Sequence, residues 1–319
     1  MWISFALALT SAVGGCGGDS GAAQAADAAP AGDAATDAPR PVIDAGPLDA
    51  SDDAGGEPSA DAGPPPRYRV TDLVSFPPAI RGMALDDAGR LFFAGAVSGA
   101  PEVYFLDSPY TGQPQPTGIT GQALAGLTWT AESLLVCDTD AGTVTSYDPK
   151  TFALIQQWQA EAPLNVAYDR DGALLTISDT GKLQRLVDAA APVTLLDELE
   201  GGFDLAPVSD GTVWISELGA GGDAPGRVTR RDLSGAVVEA VDYPWETPRG
   251  LLISADGALW VADSERAEVV RVAAGYAPYA AGKLIDAPVV LVAEGTDSLL
   301  LNLDGSLGRR SSLCRVAPE

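Results

Sequence analysis

PRGLLISADGALWVADSERAEVVRVAAG (248–275) carries the reading of the fold. An apolar run meets Ser-Ala-Asp-Gly, which reads as a tight turn with glycine supplying the positive φ. A second apolar run ends in Asp263, and after a polar turn a third strand begins at Glu268. The same phrase recurs along the chain: GMALDDAGRLFFAG (82–95), GLTWTAESLLVCD (126–138), NVAYDRDGALLTISD (165–179), DLAPVSDGTVWISE (204–217), GLLISADGALWVAD (250–263) and VVLVAEGTDSLLLN (289–302). The phrases end at Gly95, Asp138, Asp179, Glu217, Asp263 and Asn302, in steps of 43, 41, 38, 46 and 39 residues. A third strand follows in the units at EVYFLD (102–107), TVTSYD (143–148), KLQRLV (182–187), RVTRRDLSG (227–235) and EVVRVAAG (268–275). Four strands in forty-odd residues, repeated six times, predict an all-β fold, a six-bladed β-propeller of four-stranded blades.

The ring must close. After Asn302 the last unit has room for only one more strand, around Ser311–Val316. RYRVTDLVSF (67–76) precedes the first unit without a partner in it. It is therefore expected to supply the outer strand of the last blade, so that both ends of the domain lock the ring and no long sheet edge is left open.

Upstream of residue 67 the composition changes. Residues 17–66 hold ten acids, one cation (Arg40), no aromatic residue and only Val42, Ile43 and Leu48 as large aliphatics. Such a segment buries too little apolar surface to offset its chain entropy and reads as a disordered linker. Fifty residues of flexible coil would span roughly 40 Å. Before it, Trp2–Val13 is apolar for about the length of a signal-peptide core and too short to cross a bilayer. It runs into Val13-Gly14-Gly15-Cys16 and lacks a Lys or Arg ahead of it. Small residues followed by cysteine resemble the bacterial lipoprotein box, which implies lipidation of Cys16 and a domain anchored in the bacterial cell envelope, at a periplasmic or surface face of the outer membrane. The alternative is a plain secretory signal with an incidental cysteine. The expected layout is a signal over 1–16, a linker over 17–66 and the propeller over 67–319.

Charge and composition exclude function classes. The chain has 44 acids against 19 Lys and Arg, a net charge of −25 and no histidine. The linker carries −9 of this and residues 67–319 carry −16. Without histidine there is no Ser-His-Asp triad and no His-ligated zinc or haem. Nucleic acid is not an expected partner, because phosphate backbones call for clustered cations. Membrane contact is expected through the lipid anchor alone, and the propeller is expected to be a monomer. Cys137 and Cys314 fall on blades well apart in the ring and read as buried free thiols.

The quoted repeats resemble NHL-type repeats, and the set is similar to six-bladed propellers of the SMP-30/gluconolactonase and strictosidine-synthase-like group, over residues 67–319. The superfold hosts hydrolases, lyases and binding modules, so activity has to be argued from the site. The resemblance implies one divalent cation at the channel mouth, such as calcium, held by a Glu, two Asn and an Asp. Aligning the units places Arg81, Ala125, Leu164, Phe203 and Arg249 at the entry to the inner strands, and Gly82, Gly126, Asn165, Asp204 and Gly250 one position on. No acid stands at 78–81, where the resemblance implies the Glu, so only Asn165 and Asp204 could serve as ligands. Arg81 and Arg249 could instead hold a carboxylate or phosphate, or could pair with neighbouring acids. The recurring Asp138, Asp179, Glu217 and Asp263 read as acceptors for backbone N–H groups of the following turn. Trp129, Trp214 and Trp260 read as core. Tyr243, Trp245, Tyr276 and Tyr279, in proline-bearing stretches, read either as a surface for a partner or ligand or as a cover over the barrel rim. Two functions remain: a binding or scaffold module for an unknown protein, glycan or small molecule, and a divergent metal-dependent hydrolase of lactones or esters.

Overall fold

The computed structural model describes residues 67–319 apart from 77–79, 98, 189, 220–223, 274–276, 285–286, 296–297 and 305–310. Cys16, the linker and Tyr276 lie outside the described residues. Six antiparallel four-stranded sheets form a β-propeller, and no helix occurs among the described residues. Blade 1 comprises β2 (Gly82–Leu85), β3 (Leu91–Gly95), β4 (Glu102–Leu106) and β5 (Gln115–Thr120). Blade 2 follows as β6 (Leu124–Trp129), β7 (Leu134–Asp138), β8 (Thr143–Tyr147) and β9 (Leu154–Gln159). Blade 3 runs through β10 (Pro163–Tyr168), β11 (Leu174–Ser178), β12 (Leu183–Arg185) and β13 (Val193–Leu196). Blade 4 is built of β14 (Gly202–Pro207), β15 (Val213–Glu217), β16 (Arg227–Arg231) and β17 (Val237–Ala240), and blade 5 of β18 (Pro248–Ile253), β19 (Leu259–Asp263), β20 (Glu268–Val272) and β21 (Tyr279–Lys283).

Blade 6 is completed from both ends of the domain. β22 (Ala287–Glu294), β23 (Ser298–Asp304) and β24 (Ser311–Pro318) are joined by β1 (Tyr68–Phe76), which pairs antiparallel with β24 from Tyr68↔Pro318 to Phe76↔Ser311. A bulge between Asp72 and Val74 shifts the register of β1. Tyr68 and Val70 pack on the seam between blades 5 and 6, and Leu73 and Val74 on the seam between blades 6 and 1. One strand thus covers both seams of the closing blade.

Burial follows the repeat. The second strands are the most enclosed, with every residue of β7, β11, β15 and β19 buried. Their side chains meet the next blade in six apolar clusters, one at each seam. Phe92 and Val103 of blade 1 pack with Leu127 and Val136 of blade 2, and Trp214 and Val228 of blade 4 with Leu251 and Val261 of blade 5. The glycines of the Asp-Gly turns take the expected positive φ, +76° at Gly172 and +79° at Gly257. The second unit has no glycine there, and its turn is closed instead by Thr130 and Ser133, whose backbones bond each other both ways.

The inner strands converge on the axis so tightly that side chains are excluded at several positions. A methyl group on Gly82 would run into the Ala125 carbonyl, and one on Gly250 would sit 2.6 Å from the Val289 carbonyl oxygen. Gly82→Ala and Gly126→Ala should each lower stability by about 1–3 kcal/mol, because the neighbours that must yield are backbone and, at Gly126, the Asn165 side chain as well. Gly112→Ala, with open space around it, should change it by less than about 0.5 kcal/mol. Thermal or urea unfolding of the three variants checks this.

Candidate functional site

The first strands of the blades, β2, β6, β10, β14, β18 and β22, line a central channel of about 570 Å³. Five of them open with a register shift at the channel mouth: between Leu124 and Leu127, Pro163 and Asn165, Gly202 and Asp204, Pro248 and Leu251, and Pro288 and Val290. A bulge leaves a residue unpaired and turns its side chain away from the regular alternation. The mouth positions in blade order are Arg81, Ala125, Leu164, Phe203, Arg249 and Val289, and all six line the channel. The expected alignment of the units is therefore the one the backbone adopts.

Asn165 and Asp204, on neighbouring blades, are brought together and bond each other, the Asn165 amide donating to Asp204 Oδ1. Asp204 Oδ1 also accepts from the Leu205 N–H at 2.7 Å, and Oδ2 accepts from the Leu251 N–H of blade 5 at 2.7 Å. Asn165 Oδ1 accepts from its neighbour's N–H at Val166, 2.9 Å away. Asp204 is buried. Burial pushes its carboxyl up to about 6, against the opposing pull of the N–H donors from Leu251, Asn165 and Leu205.

A divalent cation at this mouth does not fit the donor set. Hard cations take six or more oxygens, whereas Asp204 is engaged by three N–H groups and the Asn165 amide oxygen by a fourth. The other ring positions, Gly82, Gly126 and Gly250, carry no side chain, and Arg81 and Arg249 bring positive charge to the same opening. Among the described residues no group of three or more Cys, Asp or Glu side chains is placed to hold a metal ion. The pair acts as a latch across blades 3, 4 and 5.

Arg81 is exposed at the mouth and Arg249 is half-buried. Arg90, Arg185, Arg227, Arg231, Arg266, Arg271 and Arg315 each meet a carboxylate. Among the described residues neither Arg81 nor Arg249 forms an ion pair, so the alternative in which they neutralise neighbouring acids is not realised. Arg249 lies with its Cζ 5.3 Å from the centre of the Phe203 ring. Its Nε is buried without a hydrogen-bond partner among the described residues.

Of the two readings of the loop aromatics, the described rings follow the one in which they cover the rim. Trp245 is 3% exposed and fills the seam between blades 4 and 5, and its indole N–H donates to the Val241 carbonyl at 3.3 Å. Tyr243 stacks at an angle against it, 4.6 Å between ring centres, and its hydroxyl donates to Glu268 Oε2 at 2.8 Å. Tyr279 is half-buried against the seam between blades 5 and 6. The prolines break the strand but the chain folds back over the apolar seam, so these rings cap the core and offer no free platform. The expected core positions hold: Trp214 and Trp260 are buried, and Trp129 stacks on Phe92 at 5.3 Å.

The recurring acids also act more widely than expected. Asp138 accepts from the Ala141 N–H in the following turn, but more closely from Gln122 and Ala123, at 2.8 and 3.0 Å, in the loop that enters its own blade. Asp263 repeats this with Glu246 and Thr247 at 2.9 and 3.0 Å. Glu217 accepts from Glu200 N–H and holds Arg227 with both oxygens. In blade 3 the equivalent residue is Ser178, while Asp179 is exposed one position beyond the strand. Sequence reasoning missed the short polar residues that tie blades together at the mouth: Thr139 donates to the Pro163 carbonyl (2.9 Å), Ser216 to Arg249 (2.6 Å), Ser264 to Pro288 (2.5 Å) and the Asn302 amide to Ile80 (2.7 Å). Their signal was a small hydroxyl or amide near the end of the second strand in blades 2, 4, 5 and 6. Cys137 and Cys314 are buried free thiols, as expected.

No family model and no curated protein matches the sequence. Solved structures do match the fold. A gluconolactonase from Xanthomonas campestris superposes with a TM-score of 0.62 at 16% identity, covering 84% of this chain and 99% of that one. A virginiamycin B lyase from Staphylococcus aureus, bound to quinupristin and made catalytically inactive by a histidine-to-alanine change, gives 0.61 at 10% identity over 79% of this chain and 100% of that one. The luciferin-regenerating enzyme gives 0.59 at 13% identity over 78% and 95%. The likeness is one of fold, and this chain has no histidine anywhere.

The Asp204 latch has a pH signature. An acid whose carboxyl lies at about 6 in the folded chain and about 3.9 in the unfolded one holds its proton more tightly when folded. Its stabilising contribution is complete below about pH 4 and is lost as the pH rises through about 6, an effect of roughly 2–3 kcal/mol. Asp204→Asn does not titrate and turns an amide toward N–H donors. The stability gap between wild type and Asp204→Asn should therefore be widest near pH 4 and narrow toward pH 7, as urea unfolding across that range would show.

Proposed function

We propose that this chain is a non-hydrolytic binding module, a propeller presented at the bacterial cell envelope on a lipid-anchored linker. The observation that carries the reading is the state of the channel mouth. Its one amide–carboxylate pair is engaged in bonds between blades, which leaves neither a metal ligand set nor a free general base. Among the described residues its two guanidiniums meet no carboxylate, and both line the opening. Acid–base hydrolysis needs a side chain within hydrogen-bond reach of the reacting proton, and Asp204 points its oxygens into backbone N–H groups instead. The mouth is thus equipped to hold a ligand and not to turn it over. Likeness of fold to a gluconolactonase and to a lyase does not alter this, since one superfold serves many functions.

Elemental analysis of the purified chain, combined with a panel of lactones and esters, tests the reading. Less than stoichiometric divalent metal and no turnover are expected. One divalent ion per chain, lost in Asp204→Asn together with a hydrolytic activity, would replace the binding module with a metal-dependent hydrolase. The address is tested separately. Expressed in a bacterium, the chain should partition with membranes in detergent-extractable form, and Cys16→Ser should move it to the soluble exported fraction. An unchanged distribution, with no lipid mass on the N-terminus, would argue for a plain secretory signal.

A further inference from the structure

The six mouth positions divide into two arcs. Arg81 and Arg249 stand on blades 1 and 5 with Val289 of blade 6 between them, while Ala125, Leu164 and Phe203 form the opposite arc on blades 2, 3 and 4. Resting on the reading of the chain as a binding module, we infer that the mouth binds a small amphiphilic anion. Its carboxylate or phosphate is held by Arg81 and Arg249, and its apolar body lies over Leu164 and Phe203.

Three features of the structure carry this. First, neither guanidinium meets a carboxylate among the described residues although acids outnumber cations by 44 to 19 in the chain, and Arg81 is exposed at the mouth. A guanidinium without a carboxylate keeps its forked donors for an oxyanion. Second, Arg249 is already oriented: its guanidinium lies 5.3 Å over the Phe203 ring and its carbonyl is fixed by Ser216 at 2.6 Å. A planar fork held in place loses little freedom on binding a planar carboxylate or a phosphate. Third, the channel volume of about 570 Å³ is that of a small-molecule site, and such sites pair apolar walls with a few placed polar groups. A bare inorganic anion would leave the apolar arc in water, and a neutral ligand would leave both guanidiniums unanswered.

The test is calorimetric titration of the full chain with four probes: phenylacetate, phenyl phosphate, the neutral phenylacetamide, and inorganic phosphate. The two aromatic anions should bind, with phenylacetamide and inorganic phosphate each at least about tenfold weaker. The stronger of the two aromatic anions identifies the headgroup as carboxylate or phosphate. Arg81→Gln and Arg249→Gln should each lower the affinity about tenfold or more with little change in melting temperature, since neither side chain makes an ion pair. Arg81→Lys should restore only part of the loss, because an ammonium keeps the charge without the fork. Equal binding of phenylacetamide, full affinity in the Arg81→Gln/Arg249→Gln double variant, or no binding of any probe at millimolar concentration would overturn the inference. Equal binding of the neutral probe would leave the binding module standing, whereas stoichiometric metal with turnover would remove the binding module itself, so the two failures are distinguishable.

Discussion

Six strands entering one narrow channel is the constraint from which the rest of the structure follows. Each inner strand approaches its neighbour closely enough that a Cβ on Gly82, Gly126 or Gly250 would meet backbone or the Asn165 side chain. The register shifts at the mouth interrupt the ladder there and free carbonyls that need donors. Thr139, Ser216 and Ser264 answer three of these from the preceding blade, and Asn302 does the same for the Ile80 carbonyl where β2 enters without a shift. Crowding at the axis, glycine at the ring and short polar residues at the seams are thus one solution to one packing problem. The apolar clusters between blades fix which sheets meet, and these hydrogen bonds fix the angle at which they enter the channel.

The same constraint separates the fates of two buried acids. Glu217 sits off the axis, where β16 can bring Arg227 and Arg231 to it. Burial pushes its carboxyl up, but the Arg227 bonds, the Glu200 N–H and the charges of Arg227 and Arg231 outweigh it and hold it below the usual range. Asp204 sits on the ring, where no cation reaches it and only N–H dipoles surround it, so burial prevails. One acid stabilises the fold in its ionised form and the other in its protonated form. The difference lies in which strand of the blade each occupies: third-strand side chains can reach Glu217, and at the ring the adjacent positions are Asn165 and Gly250, neither of them a cation.

Much of this was legible in the sequence. The repeated turn-and-strand phrases give six blades, and the unpartnered RYRVTDLVSF predicts the strand that closes the ring with β24. The alignment of units also places Arg81, Asn165, Asp204 and Arg249 at the mouth. Partners were not legible, because they depend on the neighbouring blade some forty residues away. Asn165 and Asp204 look like two loose ligands in sequence, and only the ring shows that they bond each other. Asp179 shows the limit of period counting: in a repeat whose steps vary by several residues, a displacement of one is invisible, and Ser178 holds the place. Trp245 was open between two readings for another reason. Proline in YPWETP reports on the backbone, which does leave the strand, and says nothing about whether the ring beside it turns inward.

Charge geography explains how an acidic propeller comes to have a cationic mouth. The acids that meet arginines do so within their own blade, as in Asp86–Arg90, Asp169–Arg185, Asp256–Arg271 and Glu294–Arg315. These pairs join neighbouring strands or turns of one sheet and cannot reach across the channel to Arg81 or Arg249. Asp204, the one acid on the ring, is closed off by N–H donors. Topology thus leaves the two guanidiniums unanswered despite the excess of carboxylates. The net charge of the domain does not cancel them, since at physiological salt the field of distant surface charges decays over about 8 Å. A guanidinium fork at contact, in a channel with apolar walls, acts at full strength within that distance.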